Sequence, residues 1–267
     1  RSQHLRWHLH NPGLPAVFAV RVGFCRLHRL TTVAVHSFET MGTMVSIRIA
    51  DADLVSRDAI SVLNEVEHSF AGLNERFSLY TPDSEISRIA SGELSLADSS
   101  EQMREEYARA LQWRDRTGGA FTPHRPDGVM DLSGTIKAVG IDQAAQILHE
   151  AGFANFSVNV GGDLTTSGQQ AEDIPGWITG IVDPLDRTAL LAAVQLTSEM
   201  PAMATSGSAE RGEHIWLRPE TTKDFVQATV IAGDIITADV LATAMMSGGQ
   251  ESLNQITQDF SVAVMTV

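Results

Sequence analysis

Asp131-Leu132-Ser133-Gly134-Thr135-Ile136-Lys137 opens the stretch on which the reading of this chain turns, and Ser157-Val158-Asn159-Val160-Gly161-Gly162-Asp163 closes it. Between them Ile136, Gly140, Ala144, Ile147, Leu148 and Ala151 recur at three- and four-residue spacing and Gly152 supplies a stop, which predicts a helix over 135–151. Asp131 and Lys137 flank its first turn. Unpaired backbone N–H groups and the positive end of the helix dipole favour phosphate or another anion there, so the position suits a nucleotide. Phe156, Val158 and Val160 then alternate with Ser157 and Asn159, which predicts a half-buried strand running into Gly161-Gly162-Asp163. Two glycines let a backbone approach a ligand, and Asp163 offers an acceptor for a hydroxyl or base; the competing reading is a plain turn closed by an Asx bond. Neither GxGxxG nor a Walker loop occurs, so Rossmann and P-loop sites are unsupported. Gly-Gly-Asp also begins a cyclase signature, but Leu164-Thr165 breaks that match.

Working outward, 267 residues with 43% hydrophobic and 19% charged content suit one large folded domain or two lobes. A net charge of −14 argues against nonspecific binding to nucleic acid or an anionic membrane, and a polyanionic ligand then needs a local positive site or a metal. With Cys25 alone there is no intramolecular disulfide and no cysteine metal cluster, which leaves oxygen ligands for any ion.

Residues 1–36 differ from the rest: Arg1, Arg6, Arg21, Arg26 and Arg29 precede the first acidic residue, Glu39, and the remainder of the chain carries about −19. The apolar run 14–24 is short and broken by Arg21, which makes neither a membrane span nor a good signal-peptide core, and Phe24 before Cys25 spoils a lipoprotein cleavage site. We read 1–36 as a basic, flexible extension and 37–267 as the folded domain. Val45, Ile47 and Ile49 predict a strand, and Val55 to Phe77 steps by three and four as one long amphipathic helix over 53–77. A turn holding Tyr80 follows, with Asp83 or Ser84 capping a short helix; Tyr80 either shields a core edge or touches a ligand. A helix over 101–116 ends at Thr117-Gly118-Gly119.

Downstream, strands are expected at 177–182, 190–197, 215–217, 226–232 and 262–267. Met203 to His214 reads as a hydroxyl- and glycine-rich loop, either embracing phosphate or simply rich in turn formers. The last helix, over 237–247, puts Asp239 and Thr243 on one face. They form a hard-oxygen pair for a magnesium ion beside a diphosphate, or else Asp239 caps the helix and Thr243 bonds back to a carbonyl.

These pieces, in order and spacing from about Phe38 onward, resemble the ApbE family of FAD:protein FMN transferases. The resemblance rests on Phe38-Glu39-Thr40-Met41-Gly42-Thr43, on Tyr80 with Asp83 to Arg88, and on Thr117 to Phe121. It continues through Asp131 to Lys137, Asn159 to Asp163, Trp177 to Pro184, Ala204 to Gly207 with Glu210-Arg211-Gly212 and His214-Ile215, and Ala238 to Ala244. It implies an α+β fold of two lobes, mainly antiparallel sheets with packed helices and a nucleotide cleft between the lobes. It further implies FAD as substrate and Mg2+ as cofactor, the ion held by Asp239, Thr243 and the Gly134 carbonyl. Met41, Tyr80, Ala120, Phe121, Thr122, Asp131, Lys137, Gly161, Gly162 and Asp163 would line the nucleotide, with Thr205, Ser206 and Gly207 near the phosphates.

The implied reaction moves FMN from FAD onto a Ser or Thr hydroxyl of an acceptor flavoprotein and releases AMP. His214 is the candidate base, since an unperturbed imidazole titrates near neutrality; a structural histidine bonded to backbone is the rival. An FAD pyrophosphatase giving FMN and AMP, or an FAD-binding protein without chemistry, are the other readings. Thr122 stands where the family has Asp, Ala138-Val139 replaces a Gly-aromatic pair, and Trp216-Leu217 replaces Asp-Pro after His214-Ile215, all around the site. The short 122–130 segment suggests a trimmed loop over the nucleotide. The expected partners are FAD and an acceptor with a Ser/Thr motif, with no nucleic acid and no membrane span, and the absence of a usable signal leans the location to the cytoplasm.

Overall fold

The computed structural model describes residues 34–50, 57–207 and 223–267, together with the backbone of 6–9. Among the described residues ten strands run β1 Arg6–Leu9, β2 Ala34–Thr40, β3 Thr43–Ile49, β4 Phe156–Val160, β5 Asp163–Ser167, β6 Trp177–Val182, β7 Leu190–Leu196, β8 Ala202–Gly207, β9 Gln227–Ala232 and β10 Ala263–Thr266. Five α-helices accompany them: α1 Arg57–Phe77, α2 Glu85–Ala90, α3 Glu101–Arg116, α4 Ser133–Glu150 and α5 Ile235–Asp259. Eight strands form one sheet in the order β1-β10-β9-β8-β5-β4-β3-β2, and β6 and β7 form a separate two-stranded sheet. The pairings among the described residues are antiparallel, so the fold is α+β and mainly antiparallel, with helices packed on the sheet.

Strand alternation decides what packs where. In β8, Ala202 and Ala204 join the main core with α1, α4 and α5, while Met203 turns to a second core shared with Ile181, Val194 and Leu196 of the hairpin. In β9, Ala228, Val230 and Ala232 face the helices and Ile231 faces the hairpin; β10 divides Val264 from Ala263 and Met265 in the same way. The two lobes are therefore two layers on opposite faces of one large sheet. Alanines on β8 and β9 leave room for α5, which packs on both strands through Ala238, Ala242 and neighbours. On β3, Val45, Ile47 and Ile49 are buried and Met44 and Arg48 point outward, as the period predicts.

Helices α1 and α4 cross closely because Gly140 has no side chain: a Cβ there would sit 2.5 Å from the Phe70 ring. Ser69 Oγ donates to Gln143 Oε1 one step earlier on α1 and three later on α4, so the two helices run antiparallel. The turn after α1 thus lies toward the N-terminal end of α4.

Several sequence expectations change. Met203 to Gly207 is strand β8, not the start of a loop, because Ala202, Ala204 and Ser206 alternate in phase with the helix-facing side. Helix α5 is much longer than 237–247: it continues to Asp259 past Gly249, whose φ of 61° and ψ of −147° break the helical run. Asp224 restarts it by accepting from the Gln250 N–H. Asp239 is not the cap; Asp234 holds that place, its carboxylate accepting from the Thr237 N–H. Ser84 caps α2. β2 starts at Ala34 and β1 pairs with β10, so the sheet takes in residues on the N-terminal side of 37. The expected strand over 215–217 lies outside the described residues, as do the first residues of the expected 53–77 helix.

Candidate functional site

Three charged side chains from three elements meet under the sheet end. Lys137, in the first turns of α4, forms an ion pair with Asp163, the first residue of β5, and its Nζ lies 3.9 Å from Asp239 Oδ1 on α5. Asp163 is 0% exposed and Asp239 4%, so both carboxylates are out of water, where a charge persists only if neutralised or hydrogen-bonded. Asp163 Oδ1 accepts from the Thr205 N–H at 2.8 Å. The β5–β8 register ends at Leu164↔Met203, and this side chain carries the ladder one step further. Two carboxylates against one ammonium leave an excess of negative charge, which favours a cation.

Further hard oxygens stand beside them. Thr243 follows Asp239 by one helical turn, and its Oγ1 lies 3.3 Å from Ser206 Oγ on β8. The described residues contain no cluster of three His, Cys, Asp or Glu that could hold an ion unaided. A donor set of carboxylate and hydroxyl oxygens that does not complete an octahedron fits magnesium, which keeps waters and takes substrate phosphates.

The registers bring the glycine turns to the same sheet end. Met41-Gly42 closes the β2–β3 hairpin with both φ positive, 49° and 69°, the pattern of a two-residue primed turn. Beside it Gly161 N–H donates to the Met44 carbonyl, and Gly161 and Gly162 have φ of 60° and 100°. The Asx-type bond of this turn belongs to Asn159, whose Oδ1 accepts from Gly162 N–H, so Asp163 turns inward to Lys137. Tyr80 is 84% exposed in the turn after α1, with a ring face open to stacking.

Other expected site residues have supporting positions. Asp131 Oδ1 accepts from the Ser133 N–H and opens α4. Gly134 is the second residue of α4, and a Cβ on it would sit 3.0 Å from the Phe121 ring. Phe121 and Ala120 are buried in the main core beneath this helix start, and Thr117 Oγ1 accepts from the Phe121 N–H. Thr122 Oγ1 accepts from the His124 N–H. Thr205 serves through its N–H, while its hydroxyl, 2.9 Å from Thr229 Oγ1, lies on the hairpin face away from Lys137. Gly207 ends β8 opposite Gln227. The pairing of Ser206 with Thr243 was not anticipated; the alternation of Ala202, Ala204 and Ser206 was the signal for it. His214 and the Trp216-Leu217 departure lie outside the described residues.

A separate cavity of 310 Å³ lies behind α4, lined among others by Glu106, Arg109, Trp113, Thr135 and Asp234. Thr135 is two residues from Lys137 and so on the other side of the helix. No helix among the described residues is long and apolar enough to cross a membrane.

Comparison with known proteins matches residues 41–125 and 122–266 to the model of the ApbE family. The FAD:protein FMN transferase of Salmonella typhimurium is 30% identical over 171 residues, 59% of this chain and 48% of that protein. That of Haemophilus influenzae is 22% identical over an alignment covering 96% of this chain and 92% of that protein. The matches to the Salmonella and Klebsiella pneumoniae proteins take in only about half of those relatives, 48% and 43% of their length. Among solved structures, the flavin transferase ApbE of Vibrio cholerae superposes with a TM-score of 0.69 at 22% identity, over 87% of this chain and 92% of that one. The ApbE protein of Thermotoga maritima gives 0.71 at 18% identity, over 88% and 94%. At these identities the structural likeness establishes the fold.

Proposed function

Because this chain belongs to the ApbE family, we propose that it transfers FMN from FAD to a Ser or Thr hydroxyl of an acceptor protein, in a magnesium-dependent reaction that releases AMP. The observation that carries this reading is the buried Asp163–Lys137–Asp239 set, negative in sum, at the sheet end where the N-terminus of α4 and the Gly161-Gly162 turn converge.

In this reading Lys137 and the positive end of the α4 dipole attract the diphosphate. Tyr80 stacks on an aromatic ring of the dinucleotide, and Gly161-Gly162 lets the backbone come close to it. Asp239 and Thr243, with Ser206 beside Thr243 and the Gly134 carbonyl that the family resemblance implies, would hold a magnesium ion, which would supply neutralisation of charge on the phosphoryl oxygens. The acceptor oxygen bonds to the FMN-side phosphorus, the phosphorus–oxygen bond to the AMP phosphate breaks, and His214 takes the hydroxyl proton. Burial of the carboxylates strengthens every charge interaction at the phosphates relative to water.

The test is AMP release from FAD with magnesium, with and without a peptide carrying a Ser/Thr acceptor motif, on the wild type and on Asp239→Ala. We expect AMP together with covalent flavin on the peptide, falling by about a hundredfold or more in the variant. AMP formed equally without acceptor would instead establish a pyrophosphatase, and bound FAD with no AMP a binding protein.

A further inference from the structure

Lys137 does more at this site than attract phosphate. Its ammonium is held on the sheet by Asp163, which the Thr205 N–H fixes in turn, and it stands 3.9 Å from Asp239 Oδ1. That second separation exceeds a charge-assisted hydrogen bond, so an ion can be taken at Asp239 without breaking the Lys137–Asp163 pair. We propose that Lys137 is a built-in counter-cation that keeps the metal site assembled but weak until a diphosphate arrives, so that metal ion and dinucleotide bind as a coupled pair. The inference rests on the nucleotide and magnesium reading above.

The charges give it a sign. Asp163, Asp239 and Lys137 sum to −1; without the ammonium the same site would carry −2 and hold a divalent ion more tightly by itself. The Lys137 side chain is only 14% exposed and both carboxylates are buried, so the repulsion between ammonium and incoming cation is poorly screened. A diphosphate at the start of α4 changes the balance: its oxygens compensate the ammonium and supply metal ligands. Each ligand then raises the affinity of the other by the same factor, as linkage requires.

Calorimetric titration of magnesium, alone and with saturating FAD in the absence of acceptor, reads this coupling without turnover, and flavin fluorescence reads FAD binding independently. For the wild type we expect magnesium affinity to rise about tenfold or more with FAD present. Lys137→Met should bind magnesium alone about tenfold more tightly than the wild type and gain less from FAD, while Lys137→Arg, which keeps the charge, should retain the coupling. Asp163→Asn moves the sum the other way, to zero, and should weaken magnesium binding in the absence of FAD; it also carries the test if Lys137→Met does not fold. A wild type that binds both ligands with no coupling, or a Lys137→Met protein with unchanged or weaker affinity for magnesium alone, overturns the inference and leaves the proposed function standing. A wild type that binds neither FAD nor magnesium overturns both.

Discussion

Glu106 shows how a single side chain sets a pH response away from the reaction site. It is 4% exposed, lines the cavity behind α4, and its Oε1 accepts from Arg109 Nη1 at 2.5 Å. Burial pushes its carboxyl above the usual glutamate range, the Arg109 charge and hydrogen bond oppose this less strongly, and Glu105 adds to it. Asp142 is raised as well, by burial and then by Asp234. A raised carboxyl means that the native state holds the proton to higher pH than the unfolded chain does, so this group's contribution to stability falls as pH rises from its ordinary value through its folded value. Glu106→Gln should therefore gain on the wild type in Tm between pH 4 and pH 7; an identical offset in thermal unfolding at both pH values would show the carboxylate to be fully compensated by Arg109. At this scale much was legible: Lys137, Asp163 and Asp239 stand out as charged residues beside helix starts and glycine turns. The face of Thr205 was not, because a stretch read as loop carries no alternation and so no inside or outside.

Elements are positioned by what they lack. Gly140 is the residue that lets α4 lie against α1, since a Cβ would fall 2.5 Å from the buried Phe70 ring. Gly140→Ala should lower stability by about 1–3 kcal/mol in urea titration, the range for overpacking a filled core; a change within a few tenths of a kcal/mol would mean that the helices slide apart freely. The periodicity of 135–151 located this helix to within a turn, because its apolar face repeats without interruption. For α5 the same method stopped early. Ser247-Gly248-Gly249 reads as a terminator, and the restart depends on Asp224, a residue 26 positions before Gln250 whose carboxylate accepts the Gln250 N–H. No local pattern contains a cap supplied from that far away.

The whole molecule is one large sheet with unequal covers. The helical layer holds the main core, whereas β6 and β7 form their own two-stranded sheet and cover the far face through a smaller core of Leu164, Ile181, Val194, Leu196, Met203 and neighbours. Trp177 Nε1 donates to the Ser167 carbonyl and Gln227 Nε2 to the Val182 carbonyl, which pins the hairpin at both ends. Opening it leaves the eight-stranded ladder intact, so native-state hydrogen exchange should find the amides of 177–182 and 190–196 less protected than those of β8 and β9. Equal protection, rising together with denaturant, would make the hairpin part of the global unit. The strand order was the least legible level, since alternation identifies strands but not their neighbours: β8 reaches β5 across the excursion through β6 and β7. The charged triad inherits this topology. Lys137, Asp163 and Asp239 come from α4, β5 and α5, and they meet only when the chain between them has closed. Such distant contacts form late in folding, after the loop-closure entropy has been overcome. A molecule that needs all three side chains can thus recognise only the finished fold, and its binding slows the native chain's departure without hastening the nascent chain's arrival.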